Sequence, residues 1–259
     1  MRVVSLCPSL TELVFDLGAG SELVGRTRFC VHPQGRVGAI ETVGGTKNPK
    51  VARVIALAPD LVLMNEEENR LEDAEALRAA GLTVDASLPR TAGETAAMVR
   101  SIGRALGRAA VGEGIAAEIE ARAAEVRGAS HRLRAVRYAY LIWREPWMTV
   151  NDDTFVAGLL MLAKGRNVFG ASDARYPEIT LEQLRAADPD VVLLSSEPFP
   201  FTPSHLESLG ATLGWPADRF ALADGELLSW HGSRTPRGIV YAAEVLQRVR
   251  DRRGKADGR

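Results

Sequence analysis

Six short stretches of this 259-residue chain carry most of its side chains with chemistry to offer. They are Cys7-Pro8-Ser9, Arg26 to Pro33 (RTRFCVHP), Asn65 to Arg70 (NEEENR), Trp143 to Met148 (WREPWM), Ser195 to Phe201 (SSEPFPF) and Ser229 to Gly232 (SWHG). Three of the four tryptophans, Trp143, Trp147 and Trp230, fall in these stretches, together with Phe29, Phe199 and Phe201. Aromatic faces give large apolar contact area for little entropy, so the bias suits a large, flat or ring-shaped ligand. Pro8, Arg28, Glu66, Asn69, Arg144, Asn151, Glu197 and His231 stand in or beside the same stretches and complete the set of candidate ligand contacts.

Metal binding and catalysis have weaker signatures. His231, His32 and Cys30 could supply nitrogen and sulfur to a metal, with oxygen from the Glu66–Glu68 run. No pair has the i, i+4 spacing of a helical metal site, and Cys7 and Cys30 lack CxxC spacing, so a buried thiol is the plainer reading of Cys30. His131 and His205 are expected on exposed helices. The chain has no GxSxG, GxxxxGK[ST] or HExxH pattern. Gly44-Gly45-Thr46-Lys47 reads as a turn, and Asp152-Asp153 reads as a helix cap rather than a catalytic pair.

The elements that must position these stretches are announced by a repeat. VIALAPDLVLM (54–64) and LRAADPDVVLLS (184–195) each join a helix end, a Pro-Asp pair and a short apolar run. Proline disfavours helical dihedrals in the residue before it and lacks a donor, so each helix ends there. Short apolar runs flanked by turn residues suit strands buried on both faces. The expected fold class is α/β, with two Rossmann-like lobes of mostly parallel sheet. Residues 1–108 form the first lobe, a long backbone helix spans 109–135, and residues 136–259 form the second. In the connecting stretch Ile115, Ile119, Ala123 and Val126 recur at helical spacing. Parallel sheets put their ligand sites at the strands' carboxyl ends, so the six stretches are expected to converge on one groove. Ser9 or Thr11 is expected to cap the first helix, Asn151 to Asp153 a later one, and the last helix is expected to span Pro236–Arg248 and fray beyond.

A formal charge of −1 implies no nucleic-acid footprint. No run reaches transmembrane length. MRVVSLCPS passes straight into a strand-like run, so the chain as it stands is expected in the cytoplasm, or in the periplasm if a leader was removed.

The chain resembles the helical-backbone (class III) substrate-binding proteins of ABC importers, most closely their vitamin B12-binding branch. The resemblance is carried by RVVSLCPSLTELVFDLG, VARVIALAPDLVLM, TLEQLRAADPDVVLLS and SWHGSRTPRGIVYAAEVL, in order along nearly the whole chain. It implies non-catalytic binding of a corrinoid in the cleft of two lobes joined by a long helix, for uptake or intracellular carriage. Trp143, Trp147, Trp230 and Phe199 would pack on the ring, and Arg28, Arg144 and Asn151 would hydrogen-bond its amides. His231 or Cys30 would approach the metal, and Glu66, Glu67, Glu68 and Glu197 would dock a permease. Haem, a ferric siderophore or a metal ion remains an alternative ligand on this fold. A metal-dependent enzyme or cofactor-assembly protein is the remote one.

Overall fold

Runs of Val, Leu and Ala too short for helices build a parallel sheet in each half of the chain. The computed structural model describes residues 1–257, and the side chains of residues 1–254. The first half gives β1 (Val3–Ser5), α1 (Pro8–Asp16), β2 (Leu23–Arg26), β3 (Glu41–Thr42), α2 (Val51–Ala56), β4 (Leu61–Asn65), α3 (Leu71–Ala79), β5 (Val84–Ser87) and α4 (Ala92–Ala105). Its sheet runs β3-β2-β1-β4-β5 with every pairing parallel. Val4, Leu6, Val62, Met64 and Leu77 pack its core. The order turns back at β1, because β2 and β3 extend the sheet on one side and β4 and β5 on the other. Such a reversal opens a crevice beyond the carboxyl ends of β1 and β4.

After α5 (Ala109–Ser130), the second half gives β6 (Val136–Leu141), β7 (Trp147–Met148), α6 (Phe155–Leu162), β8 (Gly165–Asn167), β9 (Glu178–Ile179) and α7 (Leu181–Ala187). It continues with β10 (Val191–Ser195), α8 (Pro203–Leu213), β11 (Phe220–Ala223), α9 (Gly225–Ser229) and α10 (Thr235–Asp257). Its main sheet runs β11-β10-β6-β8, again all parallel. Here the reversal falls at β6, so the crevice opens beyond β6 and β10. Leu141, Leu184, Val192, Leu194 and Phe220 lie in its core.

The chain forms two compact units. One comprises Met1–Pro89, Gly93–Glu118 and His231–Arg234, and the other Arg90–Ala92, Ile119–Trp230 and the chain from Thr235 onward. Helix α5 has 22 residues, about 33 Å at 1.5 Å per residue, and passes from the first unit into the second. Among the described residues, no helix is long and apolar enough to cross a membrane.

Several local expectations are corrected. Helix α1 starts at Pro8, whose fixed φ suits the first helical position, and its N-cap Cys7 makes no side-chain cap. Neither Ser9 nor Thr11 caps it; the Thr11 hydroxyl donates to Cys7 O instead (3.0 Å). The cap of α6 is Thr154, which accepts the Ala157 N–H, rather than Asn151 to Asp153. Helix α10 does not end at Arg248 and fray. Arg250 donates to Arg134 O (3.0 Å) and Ala163 O (2.6 Å), and Arg253 pairs with Asp190, which docks the last turns. Gly258 and Arg259 lie outside the described residues. The residue before each repeated proline, Ala58 and Asp188, takes a positive φ, 44° and 42°. The turn between helix and strand is therefore the same in both units.

Candidate functional site

In each unit a candidate group sits at the strand-order reversal. In the first, His231 Nε2 lies 3.5 Å from Ser9 Oγ, in the first turn of α1, and 3.4 Å from Nδ2 of Asn65, the last residue of β4. His231 is only 6% exposed. Asn65 also shapes the loop that follows: its Oδ1 accepts the Glu67 and Glu68 N–H groups (3.0 and 3.1 Å), and its Nδ2 donates to Ser87 O (2.9 Å). Asn69 accepts the Asn65 N–H at 2.9 Å and donates to Leu6 O and Thr46 O, both at 3.0 Å. It ties three loops together. The Thr46 carbonyl belongs to the Gly44–Lys47 turn, where Gly44 has φ +112 and a Cβ would stand 2.8 Å from Asn48 O. That turn cannot take a side chain at this position.

Around this centre, Glu66 is exposed and His32 and Pro8 are partly exposed. Phe29 is exposed, with the Arg28 guanidinium 4.8 Å from its ring centre. Cys30 is fully buried, and its sulfur is held by the Thr11 and Thr27 hydroxyls (3.0 and 3.1 Å). Burial pushes the Cys7 thiol up to about 12 and raises that of Cys30 as well. Metal ligation uses the thiolate, which such burial opposes. Among the described residues, no group of three or more His, Cys, Asp or Glu side chains could hold a metal ion, so His231, Cys30 and His32 do not form one.

In the second unit the reversal is occupied by aromatics. Trp143, after β6, and Phe199, after β10, meet edge to face with ring centres 5.7 Å apart. Phe199 N–H donates to Ile142 O (3.3 Å), binding the two loops at the backbone. Trp143 is 40% exposed, whereas Phe201 is buried and stacks on Trp147 at 6.1 Å. The WREPWM loop is folded back on itself, with Ile142 N–H donating to Met148 O and Met148 N–H to Trp143 O. Strand β7 at its end pairs antiparallel with β9, a feature the sequence reading missed. Arg144 lies over Trp147 (5.9 Å) and pairs with Glu145. Asn151 is buried, donating to Ser172 O (3.0 Å) and accepting the Asp153 N–H (2.9 Å), so it orders its own loop.

Trp230 is 9% exposed and donates its indole N–H to Glu197 Oε1 at 2.8 Å. Glu197, expected both as a ligand contact and as a docking acid, accepts Ser229 Oγ–H at 2.9 Å as well. Ser9, Asn65 and Ser195 belong to the six stretches but not to the expected ligand contacts, and their side chains hold His231 or Glu197 in place. The signal available was position: Asn65 and Ser195 directly follow apolar runs, and Ser9 stands in the first turn of the helix after β1.

The arrangement offers aromatic surface, amide and hydroxyl donors and one imidazole at two strand-order reversals, which is a means of holding a ligand. Residues 3–215 match the family model described as periplasmic binding protein. The vitamin B12-binding protein of Vibrio campbellii is 25% identical, over 97% of this chain and 91% of that protein. That of Vibrio parahaemolyticus is 26% identical, over 95% and 88%. Among solved structures, the periplasmic vitamin B12-binding protein BtuF of Vibrio cholerae superposes with a TM-score of 0.83 at 21% identity, covering 96% of this chain and 97% of that one. The periplasmic haem-binding protein RhuT from Roseiflexus sp. RS-1 gives 0.82 at 25%, over 96% and 98%. The family model spans most of the chain, and the chain belongs to the periplasmic binding protein family: it is a substrate-binding protein, not an enzyme.

Proposed function

We propose that this protein reversibly binds a corrinoid, cobalamin or cobinamide, for uptake through an ABC importer. The observation that carries the proposal is the aromatic pair at the strand-order reversal of the second unit, in which an exposed Trp143 meets a half-buried Phe199 edge to face. A tetrapyrrole-like ring presents a broad apolar face, and an edge-to-face aromatic pair at a loop crevice provides matching area. The vitamin B12-binding relatives support the same reading. Arg144 and Trp147 extend the contact surface in this unit. In the first unit Arg28, Phe29, Pro8 and His231 are the proposed contacts, with His231 directed at the reversal by Ser9 and Asn65. The exposed Glu66 and its neighbours Glu67 and Glu68 are proposed to dock the permease by charge. This work would be done in the periplasm.

The test is incubation of the purified chain with cyanocobalamin or cobinamide, desalting, and a visible spectrum of the protein fraction. The proposal expects about one equivalent of corrinoid to co-elute, by simple one-site binding. Absence of both corrinoids overturns it. Haem is the second reading, favoured by the likeness to RhuT. Haemin in the same assay separates the two, because a retained Soret band without corrinoid uptake assigns the ligand to haem.

A further inference from the structure

We propose that Glu197 is a positioning residue for Trp230, setting the orientation of an indole that borders the ligand, and is not a docking acid. The proposal rests on the ligand-binding reading above. A buried indole N–H needs an acceptor, and a carboxylate is a strong one. Glu197 Oε1 supplies it at 2.8 Å and takes the Ser229 hydroxyl at 2.9 Å on the same oxygen. The carboxylate is itself held from behind. Its backbone N–H donates to Ser195 Oγ (3.3 Å), which also receives the Tyr140 hydroxyl (2.9 Å) from the neighbouring strand β6. Gly225 makes room for it, since a Cβ there would stand 2.5 Å from Glu197 Cγ. Tyr140, Ser195, Glu197, Ser229 and Trp230 thus form one run of hydrogen bonds from the sheet interior to the indole. The other acid of these loops in this unit behaves differently: the Glu145 side chain is 79% exposed and meets only the guanidinium of its neighbour Arg144 among the partners seen. An acid serving long-range charge attraction is expected to look like Glu145, not like Glu197.

The two roles separate under conservative substitution, because Glu197→Gln keeps an acceptor oxygen and removes the charge, while Glu197→Ala removes both. The full-length chain is labelled with 5-fluorotryptophan, Trp230 is assigned with Trp230→Phe, and ¹⁹F spectra are recorded without ligand. Positioning predicts a Trp230 resonance in Glu197→Gln close to the parent and one displaced or broadened in Glu197→Ala. Equilibrium dialysis with cyanocobalamin, and with haemin, is expected to show affinity within about threefold of the parent for Glu197→Gln, and roughly tenfold weaker for Glu197→Ala, as for loss of a charged hydrogen bond. A Trp230 resonance unmoved in Glu197→Ala overturns the proposal, as does an equal affinity loss in both variants. If the parent binds neither ligand, the ligand reading fails, while the ¹⁹F comparison still decides whether Glu197 holds the indole.

Discussion

Asp60 and Arg2 exchange backbone and side-chain hydrogen bonds in a closed pair. The Asp60 carboxylate accepts the Arg2 backbone N–H at 2.7 Å, and the Asp60 N–H donates to Arg2 O at 2.8 Å. The Arg2 guanidinium reaches Leu57 O, a carbonyl at the end of the preceding helix, with contacts of 2.9 and 2.7 Å. The second unit repeats this with Asp190 and Arg137: 2.9 Å to the carboxylate, 2.7 Å in return, and a guanidinium contact to Ala187 O. The Pro-Asp repeat is therefore a joint, in which one acid starts the neighbouring strand and one arginine caps the helix before it. Carbonyls at a helix end lack intrahelical partners, which explains the arginine.

Removing the acid leaves a strand-start N–H unpaired, and the loss grows with burial. The Asp190 side chain is 9% exposed and also pairs with Arg253, whereas Asp60 is exposed. Asp190→Ala is expected to destabilise by about 2 kcal/mol and Asp60→Ala by less than about 1 kcal/mol. Urea unfolding followed by circular dichroism compares the two. Equal losses would contradict the ranking by burial.

The buried thiols give a pH dependence of known sign. Burial raises the Cys7 pKa to about 12, from an ordinary value of 9.0, and raises that of Cys30. The unfolded chain therefore releases these protons at lower pH than the folded one. The stabilisation is complete below about pH 9 and declines as pH rises toward 12. Thermal unfolding is expected to fall in midpoint from pH 8.5 to 10.5, and less steeply in Cys7→Ala. A thiol reagent at pH 8 is expected to label neither cysteine in the folded protein and both in urea.

The repeat, the two parallel sheets and the six loops were legible because each rests on local pattern: period, Pro-Asp punctuation and aromatic bias. What each loop residue does was not legible, because that depends on strand order. Ser9 and Asn65 matter only because β1 and β4 are neighbours, and the sequence separates those residues by 56 positions (65 − 9). Phe199 and Phe201 look alike in sequence, yet one meets Trp143 at the crevice and the other is buried against Trp147. The full length of α10 was not legible because Arg250 and Arg253 find their acceptors at Arg134, Ala163 and Asp190, far away in the chain.

The aromatic pair at the second reversal can be tested against a tryptophan elsewhere in the same unit. Trp143→Ala and Phe199→Ala are each expected to weaken corrinoid binding by about 2 kcal/mol, near thirtyfold in Kd, with a small effect on stability for Trp143, which is 40% exposed, and a larger one for Phe199, which packs on the core. Trp215 packs on Phe220 at 6.1 Å and under the Arg219 guanidinium at 4.1 Å, away from these loops. Trp215→Phe is expected to leave affinity unchanged. If it weakens binding as much as Trp143→Ala, as measured by dialysis, the loss reflects general loosening and the crevice assignment fails.

Gly225 offers a steric test of the network around Glu197. It is the first residue of α9, where alanine would ordinarily favour the helix by about 0.5–1 kcal/mol. Its φ is not in the left-handed region, so the backbone itself admits a side chain. A Cβ at this position, however, would stand 2.5 Å from Glu197 Cγ, 2.6 Å from Ser195 Oγ and 3.0 Å from Glu197 N. Two of these atoms belong to a residue fixed by its bonds to Trp230 and Ser195, so the methyl cannot enter unless Glu197 withdraws. Gly225→Ala is therefore expected to lower stability by about 1–2 kcal/mol, against the helix propensity, as overpacking does. It should also displace the Trp230 fluorine resonance as Glu197→Ala does. A variant that is more stable than the parent, with that resonance unmoved, would mean that the run from Tyr140 to the indole yields freely and holds nothing in place.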